Sequence, residues 1–333
     1  MYELGKKLKL GKIAYRLYYA PKGFIQRGLA RGMINSILDY QAQKAMERSA
    51  FKLPPVPIAR EAQNGAKPYL DIHFLSGKKF WYQTCFCAYS LIQHTTPKES
   101  AILRPIIYDD GSLASNYVAE IYRIFPHAQV ISLAEIAANL DRDLPIAKFP
   151  HLRSLRITYP HLRKITDIHA GSTGWKLVLD SDMLCFQFPT FLIDWLRSPQ
   201  VPCHMVDIET SYGYSEALMT ELAQAPISPR LNVGICGLQS EAIDWEKLEF
   251  WCKTMLAREG KSYYQEQALV AMLMAGQGCA IAPAHEYLVM PDRAEAIAPQ
   301  AVLHHYVANS KWWYFRHGWQ HIVEHQSIKG IVP

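Results

Sequence analysis

Apolar and polar positions change period several times along the chain, and those changes predict its elements. Residues 1–50 carry Leu4, Leu8, Leu10, Ile13, Leu17, Ile25 and Leu29 among lysines and arginines. This spacing predicts a partly amphipathic helix, broken at Pro21 and Gly23. Leu53-Pro-Pro-Val-Pro57 then reads as a stiff, extended linker. From Tyr69 the pattern becomes short apolar runs separated by helical periods. Tyr69–Leu75, Arg104–Tyr108, Ala128–Ser132 and Trp175–Leu179 read as strands, with a helix over Phe80–Gln93. Ser112 is the expected N-cap of a second helix, whose Leu113, Tyr117, Ile121 and Ile124 share a face. Asn232–Cys236 reads as a further buried strand. Asp244 opens a helix to about Arg258, and Tyr263–Met274 forms another. Short strands follow near Cys279–Ala282 and Ala301–His304. Strands alternating with helices predict an α/β fold, a mostly parallel central sheet flanked by helices, with a helical N-terminal extension. The expected division is residues 1–66 as basic extension and linker, and 67–333 as the main domain.

Composition narrows the class. Of 333 residues, 50% are hydrophobic and 20% charged, which is globular usage. The seven cysteines lie between Cys85 and Cys279 without C-x-x-C spacing, so reduced thiols and a cytoplasmic setting are expected. No apolar h-region of a signal peptide follows the basic N-terminus. The longest apolar run, Ala268–Met274, is too short to span a bilayer. Charge is uneven: residues 1–31 hold eight basic residues against Glu3 alone, a local +7, so the rest carries −2 of an overall +5. The main domain therefore has no basic excess for nucleic acid. The N-terminal stretch suits either a peripheral contact with the anionic inner face of a membrane or packing on a protein surface.

Three motifs are absent: G-x-x-x-x-G-K-[ST], G-x-G-x-x-G and G-x-S-x-G. His285-Glu286 begins a zinc-protease motif, but Val289 stands at the second histidine. The informative segment is Lys176-Leu-Val-Leu-Asp-Ser-Asp-Met-Leu-Cys-Phe186, an apolar strand running into Asp180-Ser181-Asp182. Side chains at i and i+2 of an extended segment point the same way, so both carboxylates face one point at the carboxyl edge of the sheet. Two adjacent carboxylates favour a shared hard cation, Mg²⁺ or Mn²⁺. Asp109 and Asp110, ending an earlier strand, fit either nucleoside contact or turn chemistry. Arg153, Arg156, Arg163 and Lys164 precede the Asp180 strand and read mostly as a solvated basic face.

This strand end resembles the L-D-x-D element of nucleotide-sugar glycosyltransferases of the GT-A fold, family 8 in particular. Asn232-Val-Gly-Ile-Cys236 is similar to that family's N-x-G strand. Tyr264-Gln-Glu-Gln-Ala-Leu269 is similar to its D-Q helix start, with Glu266 for aspartate. His305-Tyr-Val-Ala-Asn-Ser-Lys-Trp-Trp313 is similar to its H-x-x-G-x-x-K-P-W signature, with Ala308 for glycine and Trp312 for proline. The likeness covers roughly residues 69–320.

The resemblance implies a metal-dependent hexosyltransferase-like enzyme that moves a sugar, with retention, from a nucleoside-diphosphate donor, UDP by default. The acceptor would be a glycan, lipid-linked or protein hydroxyl. Asp180, Asp182 and His305 (or His304) would hold Mn²⁺ or Mg²⁺. The implied donor-binding residues are Asp109, Asp110, Lys164, Asp180, Ser181, Asn232, Gly234 and Lys311. Glu266, Gln267 and Lys311 would carry the chemistry, and Trp312, Trp313 and Trp319 either stack on sugar or belong to the core. Two alternatives stand beside it. One is a non-catalytic nucleotide-sugar-binding protein of the same fold, given Ala308 and Trp312. The other is a haloacid-dehalogenase-type phosphohydrolase, disfavoured by Leu184 after the second aspartate and by the mid-chain position of Asp180.

Overall fold

The structure is a computed structural model that describes residues 32–56 and 69–329. The expected helix break at Pro21 and Gly23 lies outside the described residues. One unit ends at Ser49 and a second begins at Ala50. Helix α1 spans Met33–Ala50, all but its last residue in the first unit, with Met33, Ile34, Ile37 and Leu38 exposed.

The second unit is built on a sheet of order β3-β2-β1-β4-β7-β6-β8. Its strands are β1 Leu70–Ser76, β2 Leu103–Asp109, β3 Gln129–Ile131, β4 Trp175–Leu179, β6 Cys203–Val206, β7 Leu231–Gln239 and β8 Ala280–Ile281. Pairings β1–β2, β1–β4, β2–β3 and β6–β8 are parallel, whereas β7 runs antiparallel to both β4 and β6. The sheet is thus mostly parallel, as expected, with one reversed strand. Strand β7 is buried from Leu231 to Leu238. A run apolar on both faces carries no mark of direction.

Helices cover the sheet. They include α2 Trp81–Gln93, α3 Ser115–Ile124, α4 Leu133–Asp143, α5 Pro150–Thr158, α6 Arg163–His169, α7 Trp245–Glu259 and α8 Gln265–Leu273. Ile136 and Leu140 of α4, Leu152 and Leu155 of α5, Ile165 and Ile168 of α6, Trp251 and Met255 of α7 and Leu269 and Met272 of α8 join Ile106, Val178 and Cys236 of the sheet in one buried cluster. Helix α2 is buried at every residue from Trp81 to Ile92. Asp244 caps α7, its Oδ1 accepting from the Lys247 N–H at 2.9 Å, as expected. Ser112 does not cap α3. Its N–H and hydroxyl bond to Asp109 and Asp110 instead, and α3 starts three residues later behind Ala114. Two carboxylates just upstream capture the local donor more strongly than the helix start does.

A second sheet of order β5-β10-β9 joins Met183–Cys185, Leu303–His305 and Tyr287–Val289. It places His305 opposite Met183. All seven cysteines are free. Among the described residues no helix is long and apolar enough to cross a membrane.

Candidate active site

The site lies where β4, β6 and β7 end or begin, with β10 crossing above. Asp180 follows β4 directly, and its N–H donates to the Gly234 carbonyl of β7 at 2.9 Å. The Tyr306 N–H donates to the Asp182 carbonyl at 2.9 Å. The two sheets thereby fix Asp180, Asp182 and His305 around one point. Their ligand atoms lie within 4.8 Å of one another.

His305 Nε2 stands 3.6 Å from Asp180 Oδ2 and 3.4 Å from Asp182 Oδ1. Both ring nitrogens are buried and lack a hydrogen-bond partner. Burial opposes a charge on the imidazole, but the two carboxylates outweigh it and raise the pKa to about 9. Gly234 makes room for this ring. A Cβ there would stand 2.4 Å from His305 Cε1 and 2.5 Å from Nδ1. Two carboxylates and an orphaned imidazole form a donor set suited to Mn²⁺ or Mg²⁺. His304 faces away, its ring between the Tyr306 hydroxyl at 2.8 Å and Glu295 at 2.9 Å, so the alternative ligand is removed from the site.

Two lysines flank the carboxylates. Lys164 Nζ bonds Asp180 Oδ1 at 2.7 Å and Glu266 Oε1 at 3.0 Å. Lys311 Nζ pairs with Asp182 Oδ2 at 2.9 Å. Burial would raise the Asp180 carboxyl, but Lys164 and His305 hold it well below the usual carboxylate range. Glu266 moves the other way. Its burial and the nearby Asp180 charge outweigh Lys164 and lift it to about 7. Lys164, which the resemblance implies as a donor-binding residue, bridges the two carboxylates and is only 10% exposed. Its sequence neighbours are structural: Arg156 forms a two-pronged pair with Asp167 at 2.5 and 2.7 Å, and Arg153 bonds the Leu140 and Leu144 carbonyls.

Two cavities meet at Asp180, Lys164 and His161. One, of about 340 Å³, is lined by Phe80, Gln83, Asp110, Arg163, Ser181 and Lys311 among others. The other, of about 310 Å³, is lined by Tyr159, Asp207, Tyr263, Glu266, Gln267 and Ala308 among others. Asn232 lines this second cavity as well, and Gly234 backs His305 from beneath it. Ser181 is held by its hydroxyl contact to Thr84 at 2.8 Å.

Not every expected residue arrives at the site. Asp109 Oδ1 accepts from the N–H groups of Gly111, Ser112 and Leu113, which is turn chemistry, and it lines neither cavity. Trp319 is buried edge-on against Phe86, so it belongs to the core. Trp313 stacks on His317, and neither Trp312 nor Trp313 lines either of these two cavities. The aromatic rings lining the 310 Å³ cavity include Tyr159, His161, Tyr263 and Tyr264, and Phe80 lines the other; the sequence reading assigned none of them to the site. Asp207 was missed as well. Its only sequence signal is a carboxylate just past a short buried strand.

Ala308 keeps a left-handed backbone, φ +47°. A glycine would adopt this conformation without strain.

No protein-family model matches the chain, and no curated protein matches it. Solved structures do. The galactosyltransferase LgtC in complex with donor and acceptor sugar analogues aligns at 17% identity and TM-score 0.50, over 79% of this chain and 97% of LgtC. A glutamine-to-glutamate active-site mutant of LgtC aligns at 16% identity and TM-score 0.51, over the same shares. Mouse xyloside xylosyltransferase 1 aligns at 12% identity and TM-score 0.48, over 72% of this chain and 99% of that one. The chain has the GT-A fold of LgtC, and the expected resemblance to family 8 holds in the fold.

Proposed function

We propose that this chain is a metal-dependent glycosyltransferase that moves a sugar, with retention, from a nucleoside-diphosphate donor, UDP by default, to a hydroxyl acceptor. The observation that carries this reading is the convergence of Asp180, Asp182 and His305 between Lys164 and Lys311, where two cavities meet. LgtC itself was solved with donor and acceptor sugar analogues.

Asp180, Asp182 and His305 would hold Mn²⁺ or Mg²⁺, which when bound neutralises charge on a diphosphate. Phe80, exposed at the 340 Å³ cavity, offers a face for the nucleobase, with Asp110, Arg163 and Ser181 along the same wall. Lys311 lines the 340 Å³ cavity beside Asp182, where its ammonium stabilises the leaving phosphate as charge develops. Lys164 bridges Asp180 to Glu266 and keeps the sugar-side carboxylate in place. Glu266 and Gln267 at the start of α8 face the sugar. An active-site glutamine is also the subject of the LgtC mutant structure. The exposed rings of Tyr263 and Tyr264 at the 310 Å³ cavity give an acceptor saccharide a stacking surface. Asn232 and Gly234 act behind this wall by shaping it. The left-handed Ala308 preserves the loop, which favours a working transferase over a non-catalytic relative.

Residues 1–66 form an extension to the catalytic domain, 67–333, on this reading. The basic stretch 1–31 and the exposed Met33, Ile34, Ile37 and Leu38 favour a cytoplasmic enzyme with peripheral contact to an anionic membrane face.

Thermal stability with Mn²⁺ and a panel of nucleoside diphosphates tests the main reading. A ligand at ~100 times its Kd adds about 2.7 kcal/mol. Stabilisation by Mn²⁺ with UDP, lost in Asp182→Ala, is expected. No shift with any nucleotide would return Asp180 and Asp182 to a pair of loop aspartates. Proton NMR of the product's anomeric signal then reads retention or inversion.

A further inference from the structure

Asp207 lies one residue beyond β6, at the wall of the 310 Å³ cavity. Its N–H donates to the Arg230 carbonyl at 2.6 Å, which ties it to the entry of β7. Its Oδ1 accepts from the Ile208 N–H at 2.8 Å. Its Oδ2 accepts twice, from Asn232 Nδ2 at 2.9 Å and from Gln267 Nε2 at 3.2 Å. The other Gln267 amide hydrogen goes to the Ser211 carbonyl at 2.9 Å. Asn232 is engaged at both ends, since its Oδ1 accepts from the Gly234 N–H at 2.9 Å. Every donor in this chain of bonds ends on an oxygen that only accepts, a carboxylate or a carbonyl.

That arrangement fixes the sense of the Gln267 amide, which the hydrogen-bond network assigns. Turned over, the amide would set its own oxygen against the Asp207 carboxylate and the Ser211 carbonyl and leave both without a donor. With both N–H groups engaged, the atom Gln267 presents to the cavity it lines is Oε1.

We propose that Asp207 is a positioning residue that, with the Ser211 carbonyl, holds Gln267 with its amide oxygen toward the cavity, where it accepts a hydrogen bond from a sugar hydroxyl. The hydroxyl rests on the transferase reading above; the fixed amide does not. Asn232 acts in the same chain as a brace between Asp207 and the Gly234 backbone beneath His305, and not as a direct contact to donor.

Asp207→Asn tests this with nearly unchanged shape. It leaves one acceptor oxygen where the carboxylate has two: with that oxygen kept on the Ile208 N–H, which the backbone holds in place, the NH2 group meets Asn232 and Gln267, and one of them turns. The first readout is the side-chain ¹H–¹⁵N signal of Gln267, assigned by its loss in Gln267→Leu. In the parent its amide protons exchange slowly. In Asp207→Asn the signal is expected to shift, with exchange at least ~10-fold faster. The second readout is UDP release from UDP-galactose with Mn²⁺, water being the acceptor. Here kcat is expected to fall ~10-fold or more, while the affinity for Mn²⁺ with UDP stays within ~2-fold, because Asp180, Asp182, His305 and Lys311 are untouched.

Gln267→Glu supplies the second variant, should Asp207→Asn fold poorly. A carboxylate there faces the Asp207 carboxylate, so a similar kcat loss is expected. The double variant Asp207→Asn/Gln267→Glu, in which an amide at 207 can donate to the carboxylate, is expected to recover at least ~5-fold over Gln267→Glu. An unmoved Gln267 signal in Asp207→Asn overturns the assignment, as does a moved signal with unchanged kcat, or a double variant no better than Gln267→Glu. A parent that binds no nucleoside diphosphate of the panel sinks the transferase reading instead, and the amide signal still reports whether Asp207 orients Gln267.

Discussion

His305 is a buried imidazole between two carboxylates with neither hydrogen bond complete. The linkage has a definite sign. The folded pKa of about 9 lies above the unfolded 6.5, so the imidazolium stabilises the metal-free fold fully below pH 6.5. That contribution fades as pH rises through 9, and a shift of this size corresponds to about 3 kcal/mol. Chelator-treated protein should therefore lose melting temperature between pH 6.5 and 9 more steeply than His305→Asn does. Parallel curves for the two would show that the imidazole carries no charge there. Ala308 gives a second residue-scale expectation. Its φ of +47° strains an alanine, so Ala308→Gly should stabilise by about 1 kcal/mol, read by urea unfolding. A loss of stability would mean that the methyl packs well enough to offset the strain. Asp180 and Asp182 were legible in the sequence because an extended strand end puts residues two apart on one side. His305 and Lys311 were legible only through the resemblance of His305–Trp313 to a family signature, in which the histidine and lysine keep their separation. Asp207 was not, because its partners Asn232 and Gln267 lie 25 and 60 residues away in sequence, and only the closed sheet brings them together.

At the scale of elements, the strand–turn joint after β2 divides an acidic pair, with Asp110 lining the 340 Å³ cavity and Asp109 held in the turn. Asp109 engages three consecutive N–H groups, closing the turn that leads to α3. Asp109→Ala should cost about 1–2 kcal/mol in stability while leaving the affinity for Mn²⁺ with UDP unchanged, measured by calorimetric titration. A loss of nucleotide affinity without a loss of stability would restore the donor-binding role. The boundaries of β1, β2 and β4 and of α2 and α7 were readable within a residue or two, since each is an apolar run ended by turn residues or an acidic cap. Direction was less readable. Asn232–Cys236 announces a buried strand, yet only the register Leu179↔Ile235 and the Asp180 N–H to Gly234 carbonyl bond show it running against β4. That reversal has consequences for the site, because it brings Asn232 and Gly234 to the edge where Asp180 emerges. The exchange of Trp319 for Tyr263 and Tyr264 as exposed rings belongs to the same scale. Whether an aromatic residue is core or rim depends on which face its helix turns to the sheet, and the tryptophan-rich tail hides that face.

The molecule as a whole separates its charges: +7 lies in residues 1–31, and the remainder is mildly acidic. Vesicles containing phosphatidylserine should bind the full chain in a salt-sensitive way, and a chain lacking residues 1–50 much less, in a sedimentation assay. Equal binding by both would remove the membrane role. The three proposed metal ligands are held by two different sheets, and His305 follows Asp180 by 125 residues. During synthesis the aspartates leave the ribosome about 6–25 s before the histidine, at ordinary elongation rates. A nascent chain at that stage holds an acidic pair with no third ligand and no second sheet to position one. Cation capture by this set of three thus becomes a late event in the life of the polypeptide, and it would report that the last strand has docked.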